Sequence, residues 1–215
     1  MSKKNLTETI RNIMDNLDRA FCSEADFQHV LAWKLHETFP EAEIFLEYPV
    51  QVQDGAKTKI YYDIAIKIEN EIHFIELKYK TNTTTIMLDK TLELNNQGAY
   101  PLSCCYFWFD VKRMEDAKNT VTNYCIFLSN NPIYWNGSNK DDIIHKDFEL
   151  YNGRTISYEN NQNWKNQKES PWWPTDGKDF SLNGKYICNW KNTKIKSCGK
   201  KYNEWKYLLL EVKPK

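Results

Sequence analysis

Three charged residues stand inside apolar runs. Asp63 lies within the segment Ile60 to Ile68, and Glu76 and Lys78 follow Ile72, Phe74 and Ile75 in the next run, residues 72–80. Charges in such runs are costly unless they are paired or bound to a metal. Strand residues alternate faces, so Glu76 and Lys78 share one side while Leu77 points to the other. If the two runs form a hairpin around a two-residue turn at Glu69-Asn70, residue 68 pairs with 71 and Asp63 falls opposite Glu76. A turn slipped to Asn70-Glu71 puts Asp63 opposite Lys78 on the same face, and only a three-residue turn separates Asp63 from Glu76.

Two carboxylates side by side in a sheet repel, and an isolated pair forces one of them to keep its proton. A divalent cation resolves that conflict. Carboxylate oxygens suit Mg²⁺ or Mn²⁺, and Mg²⁺ keeps several waters, which leaves positions for a phosphate oxygen and an attacking water. The Lys78 ammonium would orient or deprotonate that water, or offset charge on a pentavalent phosphate. The constellation therefore describes phosphodiester hydrolysis. The competing reading is an ordinary hairpin whose Glu76 and Lys78 form a surface ion pair, worth only about 0–1 kcal/mol.

These residues need a sheet, and the flanking sequence supplies helices to cover it. Leu6, Ile10, Ile13, Met14 and Leu17 recur at helical spacing and predict a helix over 6–19. Ser23 with Asp26 starts a second, with Phe27, Val30, Leu31 and Leu35 as its buried stripe and Pro40 at its close. Glu24, in the first turn, has residues 27, 28 and 31 above it and so leans towards the buried side, although the helix dipole alone would also favour a carboxylate there.

Residues 43–52, 60–68 and 72–80 predict three consecutive strands, the first placed near an edge or bulge by Pro49. Residues 86–96 and 103–118 read as helices broken at Gly98 and Pro101, and Tyr124 to Leu128 as a buried strand. Asn152-Gly153 and Asn183-Gly184 are two-residue hairpin signals, and Trp205 to Val212 reads as a closing strand. The expected order is α-α-β-β-β-α-β followed by a β-rich tail.

With 215 residues, seven Gly and seven Pro, the chain suits one domain with elaborations and few linkers. No window approaches 18 consecutive apolar residues and the N-terminus lacks a signal-peptide pattern, so a cytoplasmic protein with no membrane partner is expected. The six cysteines then read as reduced and mostly buried, with no zinc spacing. Zero net charge conceals asymmetry: residues 160–215 carry 12 basic and 5 acidic side chains. Trp164, Trp172, Trp173, Trp190 and Trp205 are interleaved with lysines there, which suits either a nucleic-acid groove or the core of a small β subdomain.

The placement of Glu24 on a helix, Asp63 in a strand and Glu76-Leu77-Lys78 in the next resembles the PD-(D/E)XK, restriction-endonuclease-like superfamily. Tyr62 replaces the proline, a departure its variability permits. A group of uncharacterised bacterial proteins with this core is the closer likeness, carried by Gln97, Asp110-Val-Lys-Arg113-Met-Glu115, Phe127 to Trp135 and Trp205 to Val212. The resemblance implies an α/β (α+β) fold with an αβββαβ core over 21–135, a central mixed sheet flanked by helices, and a β-rich, basic extension over 136–215 in the same domain.

It also implies a metal-dependent nuclease; the likeness supplies no substrate, and the expectation of an endonuclease acting on DNA, with RNA or a small phosphodiester as the weaker option, rests on the Asp63, Glu76 and Lys78 geometry. Its Mg²⁺ or Mn²⁺ would be held by Asp63, Glu76, Leu77 and Glu24, with Gln97 touching the attacking water or a phosphate. A surface amide is the other reading of Gln97, and a solvated helix face the other reading of Lys112 and Arg113. A homodimer is compatible with the likeness. Inactive members exist, so a nucleic-acid-binding or protein-interaction module on the same fold is the alternative.

Overall fold

The first two helices begin where side chains take over backbone donors that a helix leaves unsatisfied. The Asn5 carboxamide accepts from the N–H groups of Thr7 and Glu8 at the start of α1 (Leu6–Asp15), and the Ser23 hydroxyl accepts from Asp26 at the start of α2 (Glu24–Thr38). The computed structural model describes residues 5–51, 59–139, 143–157, 180–199 and 201–215. Trp164, Trp172, Trp173 and the Asn/Gln/Lys-rich stretch 160–168 lie outside the described residues.

After α2 come β1 (Glu43–Gln51), β2 (Lys59–Ile68) and β3 (Glu71–Lys80), an antiparallel meander. A small hairpin, β4 (Thr84–Met87) with β5 (Thr91–Leu94), leads to α3 (Tyr100–Glu115) and then β6 (Asn123–Ser129). Among the described residues the short helices α4 (Ile133–Asn136) and α5 (Ile143–Phe148), the two-residue strands β7 (Thr155–Ile156), β8 (Tyr186–Ile187) and β9 (Lys191–Asn192), and β10 (Lys206–Val212) follow. The six-stranded sheet runs β1-β2-β3-β6-β10-β9, mixed because β6 lies parallel to β3 while its other neighbours are antiparallel. The molecule is thus α+β, a central mixed sheet flanked by helices. Pro49 sits on the edge strand β1, where its missing N–H costs no ladder bond.

One face packs Ile64, Ile66, Ile75, Leu77, Ile126 and Leu128 under α1 and α2; the other packs Phe74, Cys125, Phe127, Leu208 and Leu210 under α3 and the short helices. Trp205 and Trp190 are both buried, in opposite clusters, so the core reading holds for these two tryptophans. Cys104, Cys105, Cys125 and Cys188 are buried and Cys22 and Cys198 exposed. Burial pushes the Cys105 and Cys188 thiols up to about 12. In mildly alkaline buffer a thiol reagent should therefore label two cysteines rapidly in the native protein and all six in denaturant, counted by chromophore release.

Three expectations fail. Residues 86–96 are not helical: Thr83-Thr84-Thr85-Ile86 is a β-branched run, and Thr84, Ile86 and Leu94 point inward at strand period. Pro101 does not break α3 but lies in its first turn, where a missing N–H is harmless, so the helix covers 100–115 rather than 103–118. Neither Asn-Gly pair closes a two-residue hairpin, because β7 pairs with the distant β8, Thr155 opposite Ile187. Among the described residues beyond β6, α4 and α5 precede β7, β8, β9 and β10.

Candidate active site on the third strand

The turn at Glu69-Asn70 sets the geometry. Glu69 takes a positive φ of 57°, Ile68 pairs with Glu71, and the register continues to Ile64 opposite Ile75, so Asp63 comes level with Glu76. This is the first of the alternative registers open from the sequence.

Asp63 also lies where the sheet changes phase. Ile44 and Leu46 of β1 pack on the α2 side, whereas Tyr48 and Val50 pack on the α3 side. Across the ladder, Ile64 and Ile66 go with the former and Ile60 and Tyr62 with the latter. Both strands change face at Glu47 and Asp63, which lie between the paired residues Leu46↔Ile64 and Tyr48↔Tyr62. Glu47 accommodates the change with a φ of 51°. Gln28 of α2 bridges the interruption, its Nε2 donating to the Asp63 carbonyl at 2.6 Å and to Glu47 Oε1 at 2.9 Å. A buried carboxamide thus satisfies a carbonyl that the disrupted ladder would leave unpaired.

The same disruption frees the edge of β3. Beyond Ile75 its backbone donors turn to carboxylates: Leu77 N–H donates to Asp63 Oδ2 at 2.6 Å, and Tyr79 N–H to Glu24 Oε2 at 2.7 Å. Glu24 reaches across because Ser23 caps α2 directly beside it. In an antiparallel strand a residue's N–H and C=O project together, so the Leu77 carbonyl faces the Asp63 edge as well.

On the α3 face Glu76 and Lys78 do not pair with each other. Arg113 Nη2 donates to Glu76 Oε1 at 2.5 Å and to the Tyr61 carbonyl at 2.9 Å, with its guanidinium 5.3 Å from the centre of the Tyr62 ring. Lys78 Nζ lies 2.7 Å from Asp110 Oδ2, and Arg113 Nη1 reaches Asp110 Oδ1 at 3.3 Å. The Glu76 and Asp110 side chains are each only 6% exposed, so these counter-charges are obligatory.

Burial, then the negative charges of Asp110 and Asp63, holds the Glu76 carboxyl well above its ordinary range. Burial also raises Asp63, against the Leu77 N–H and Lys78. Burial pulls the Lys78 ammonium down, but Asp110 and Glu76 outweigh it and leave Lys78 above its usual value.

Glu24, Asp63, Glu76, Leu77 and Lys78 therefore lie along one stretch of β3, Asp63 and Glu24 on its backbone N–H groups and Glu76 and Lys78 on its α3 face. Gln97 is not among them. It is exposed in the segment between β5 and α3, its N–H bonded to the Thr81 carbonyl. Lys112 pairs with Asp116 at the surface, but Arg113, level with it on a solvated-face reading, enters the site. Sequence reasoning missed Asp110 and Gln28 as site members. The signal for Asp110 was its i,i+3 spacing to Arg113 on the helix between the third and fourth core strands.

The donor set fits a divalent cation in type. Asp63, Glu76, Glu24 and Asp110 offer hard oxygens, and Lys78 and Arg113 leave two negative charges in excess when all six are ionised. As arranged, however, no three Asp, Glu, His or Cys side chains among the described residues converge tightly enough to hold an ion.

Fold and site together define an α+β protein with a buried, mixed-charge cluster on its third strand. The chain matches no protein-family model, no curated protein and no solved structure. Among the described residues no helix is long and apolar enough to cross a membrane.

Proposed function

We propose that the chain is a divalent-cation-dependent nuclease of the PD-(D/E)XK, restriction-endonuclease-like superfamily that hydrolyses phosphodiester bonds in DNA as an endonuclease. The observation that carries this reading is the register of β2 on β3, which sets Asp63 level with Glu76 beside Lys78 while Glu24 binds the backbone two residues beyond Leu77. The element order α2, β1, β2, β3, α3 and β6, with the β4-β5 hairpin between β3 and α3, supports an αβββαβ core of that kind.

Asp63, Glu76, Glu24 and the Leu77 carbonyl would hold Mg²⁺ or Mn²⁺. The ion would polarise the phosphate and lower the pKa of a bound water. Lys78, raised by its acidic neighbours, keeps its proton near neutrality. Of the roles open to it, orienting the water and offsetting charge on the phosphate are favoured over deprotonation. Arg113, buried beside Glu76, adds a second positive charge for a phosphate to meet.

The ion pairs to Asp110 and Arg113 favour one other reading, a neutralised site in a non-catalytic nucleic-acid-binding or protein-interaction module. Incubation with supercoiled, linear and single-stranded DNA, with Mg²⁺, Mn²⁺ or chelator, separates them. Nicked and linear products from supercoiled DNA, formed only with the cation, are expected. Products from ends alone would make it an exonuclease. Salt-sensitive DNA binding without cleavage under any condition would sink the enzyme assignment and leave the module.

A further inference from the structure

The grip of Arg113 on Glu76 is one short contact rather than a fork. A guanidinium in its strongest mode presents two parallel N–H groups to one carboxylate. Here Nη2 divides itself between Glu76 Oε1 and the Tyr61 carbonyl, and Nη1 is 3.3 Å from Asp110 Oδ1. The Nε is buried with no hydrogen-bond partner. Arg113 thus has a foothold on Tyr61, Asp110 and the Tyr62 ring that does not depend on Glu76. Meanwhile Glu76, the carboxylate level with Asp63, is drawn onto α3 by the guanidinium.

We propose that Arg113 is the resident counter-cation of this site, a positioning residue that holds Glu76 when no divalent ion is bound and yields it when one enters. The inference rests on the metal-site reading above and adds to it. The ion's affinity is set by competition with a guanidinium already in place. Arg113 prevents an uncompensated pile-up of Asp63, Glu76 and Asp110 in the empty site, at the expense of weaker ion binding.

The test is a calorimetric titration of the full-length protein with Mn²⁺ alone, near neutral pH, in wild type, Arg113→Met and Arg113→Lys. A unit charge at contact distance is worth more than tenfold in affinity even at an effective dielectric of about 20. Arg113→Met should therefore bind Mn²⁺ at least about tenfold more tightly than wild type, and Arg113→Lys, with a shorter reach to Glu76, should fall between them.

Wild type that takes up no Mn²⁺ beside an Arg113→Met protein that does would support the proposal most strongly. Equal or weaker binding by Arg113→Met overturns it while leaving the metal-site reading intact. No binding by either protein overturns both. If Arg113→Met does not fold without the ion, Arg113→Lys decides alone, and binding no tighter than wild type then overturns the proposal.

Discussion

Asp63→Asn and Glu76→Gln should each lower cation-dependent DNA cleavage by about a thousandfold or more, equivalent to about 4 kcal/mol of transition-state stabilisation. Initial rates on supercoiled DNA at saturating Mg²⁺ are the measurement. Both variants should remain folded, for reasons that lie in the site. An asparagine at 63 can still accept the Leu77 N–H, which in the native chain goes to Asp63 Oδ2. A glutamine at 76 can still accept from Arg113 through its amide oxygen, and it removes a charge that burial, Asp110 and Asp63 all penalise.

The Glu76 substitution carries a signed pH test. A carboxyl whose folded value is raised binds more protons in the native than in the unfolded state, so stability falls as pH rises above the ordinary glutamate range towards the raised value. In chelator, chemical denaturation should show wild type losing stability over that interval and Glu76→Gln losing less. Full cleavage activity in both variants would remove Asp63 and Glu76 from the chemistry, whatever the stability curves show.

What the sequence revealed and what it concealed follow from the range of the interactions involved. The β2-β3 hairpin was legible because turn signals and period-two alternation are local, but they left the register open between turns, and the turn at Glu69-Asn70 is what brings Asp63 level with Glu76. Glu24 was legible because Ser23 and Asp26 fix the start of α2 and thereby its direction. The change of phase at Glu47 and Asp63 was not, because it needs both strands to switch faces together and Gln28 to bridge them from another element.

Arg113 and Asp110 were ambiguous for a related reason. Charges three apart on a helix look the same whether the face meets water or a sheet, and only the packing of α3 over β3 decides. The nearby Thr-rich hairpin misled because Ile86, Leu88, Leu92 and Leu94 fit more than one period over so short a stretch. The tryptophan-rich tail was divided between groove and core, and Trp190 and Trp205 fall to the core.

The largest stability effect is expected away from the strand, at Glu115. This carboxylate, 1% exposed, sits in the last turn of α3, where the helix dipole disfavours a negative charge. It is held by the turn that resembled a hairpin in sequence: Asn183 N–H at 2.8 Å, Gly184 N–H at 2.7 Å, Asn183 Nδ2 at 3.1 Å and the Tyr186 hydroxyl at 2.8 Å. Asn-Gly serves here for reasons other than strand reversal. A Cβ on Gly184 would stand 2.7 Å from the Tyr186 hydroxyl oxygen, so a larger residue there would displace the tyrosine that also donates to Glu115.

Glu115→Ala strands these donors against a void. Hydrogen bonds to a charged group contribute about 1.5–3 kcal/mol each, and a buried donor left unmade costs about 1–3 kcal/mol. Allowing for partial rehydration, a net loss of about 3–5 kcal/mol is expected, comparable to breaking a buried ion pair. For a chain of this size that lowers Tm by roughly 6–20 °C. Glu115→Gln should be nearly as damaging, because its NH₂ would face the Asn183 donors. Asn183→Ala, which removes the 3.1 Å side-chain bond to Glu115 and an exposed contact with Lys215 but keeps both backbone donors, should cost about 1 kcal/mol. Thermal unfolding of the three variants gives this order if Glu115 is the anchor joining α3 to the C-terminal extension. Equal Tm values for Glu115→Ala and wild type would show that the extension docks without it.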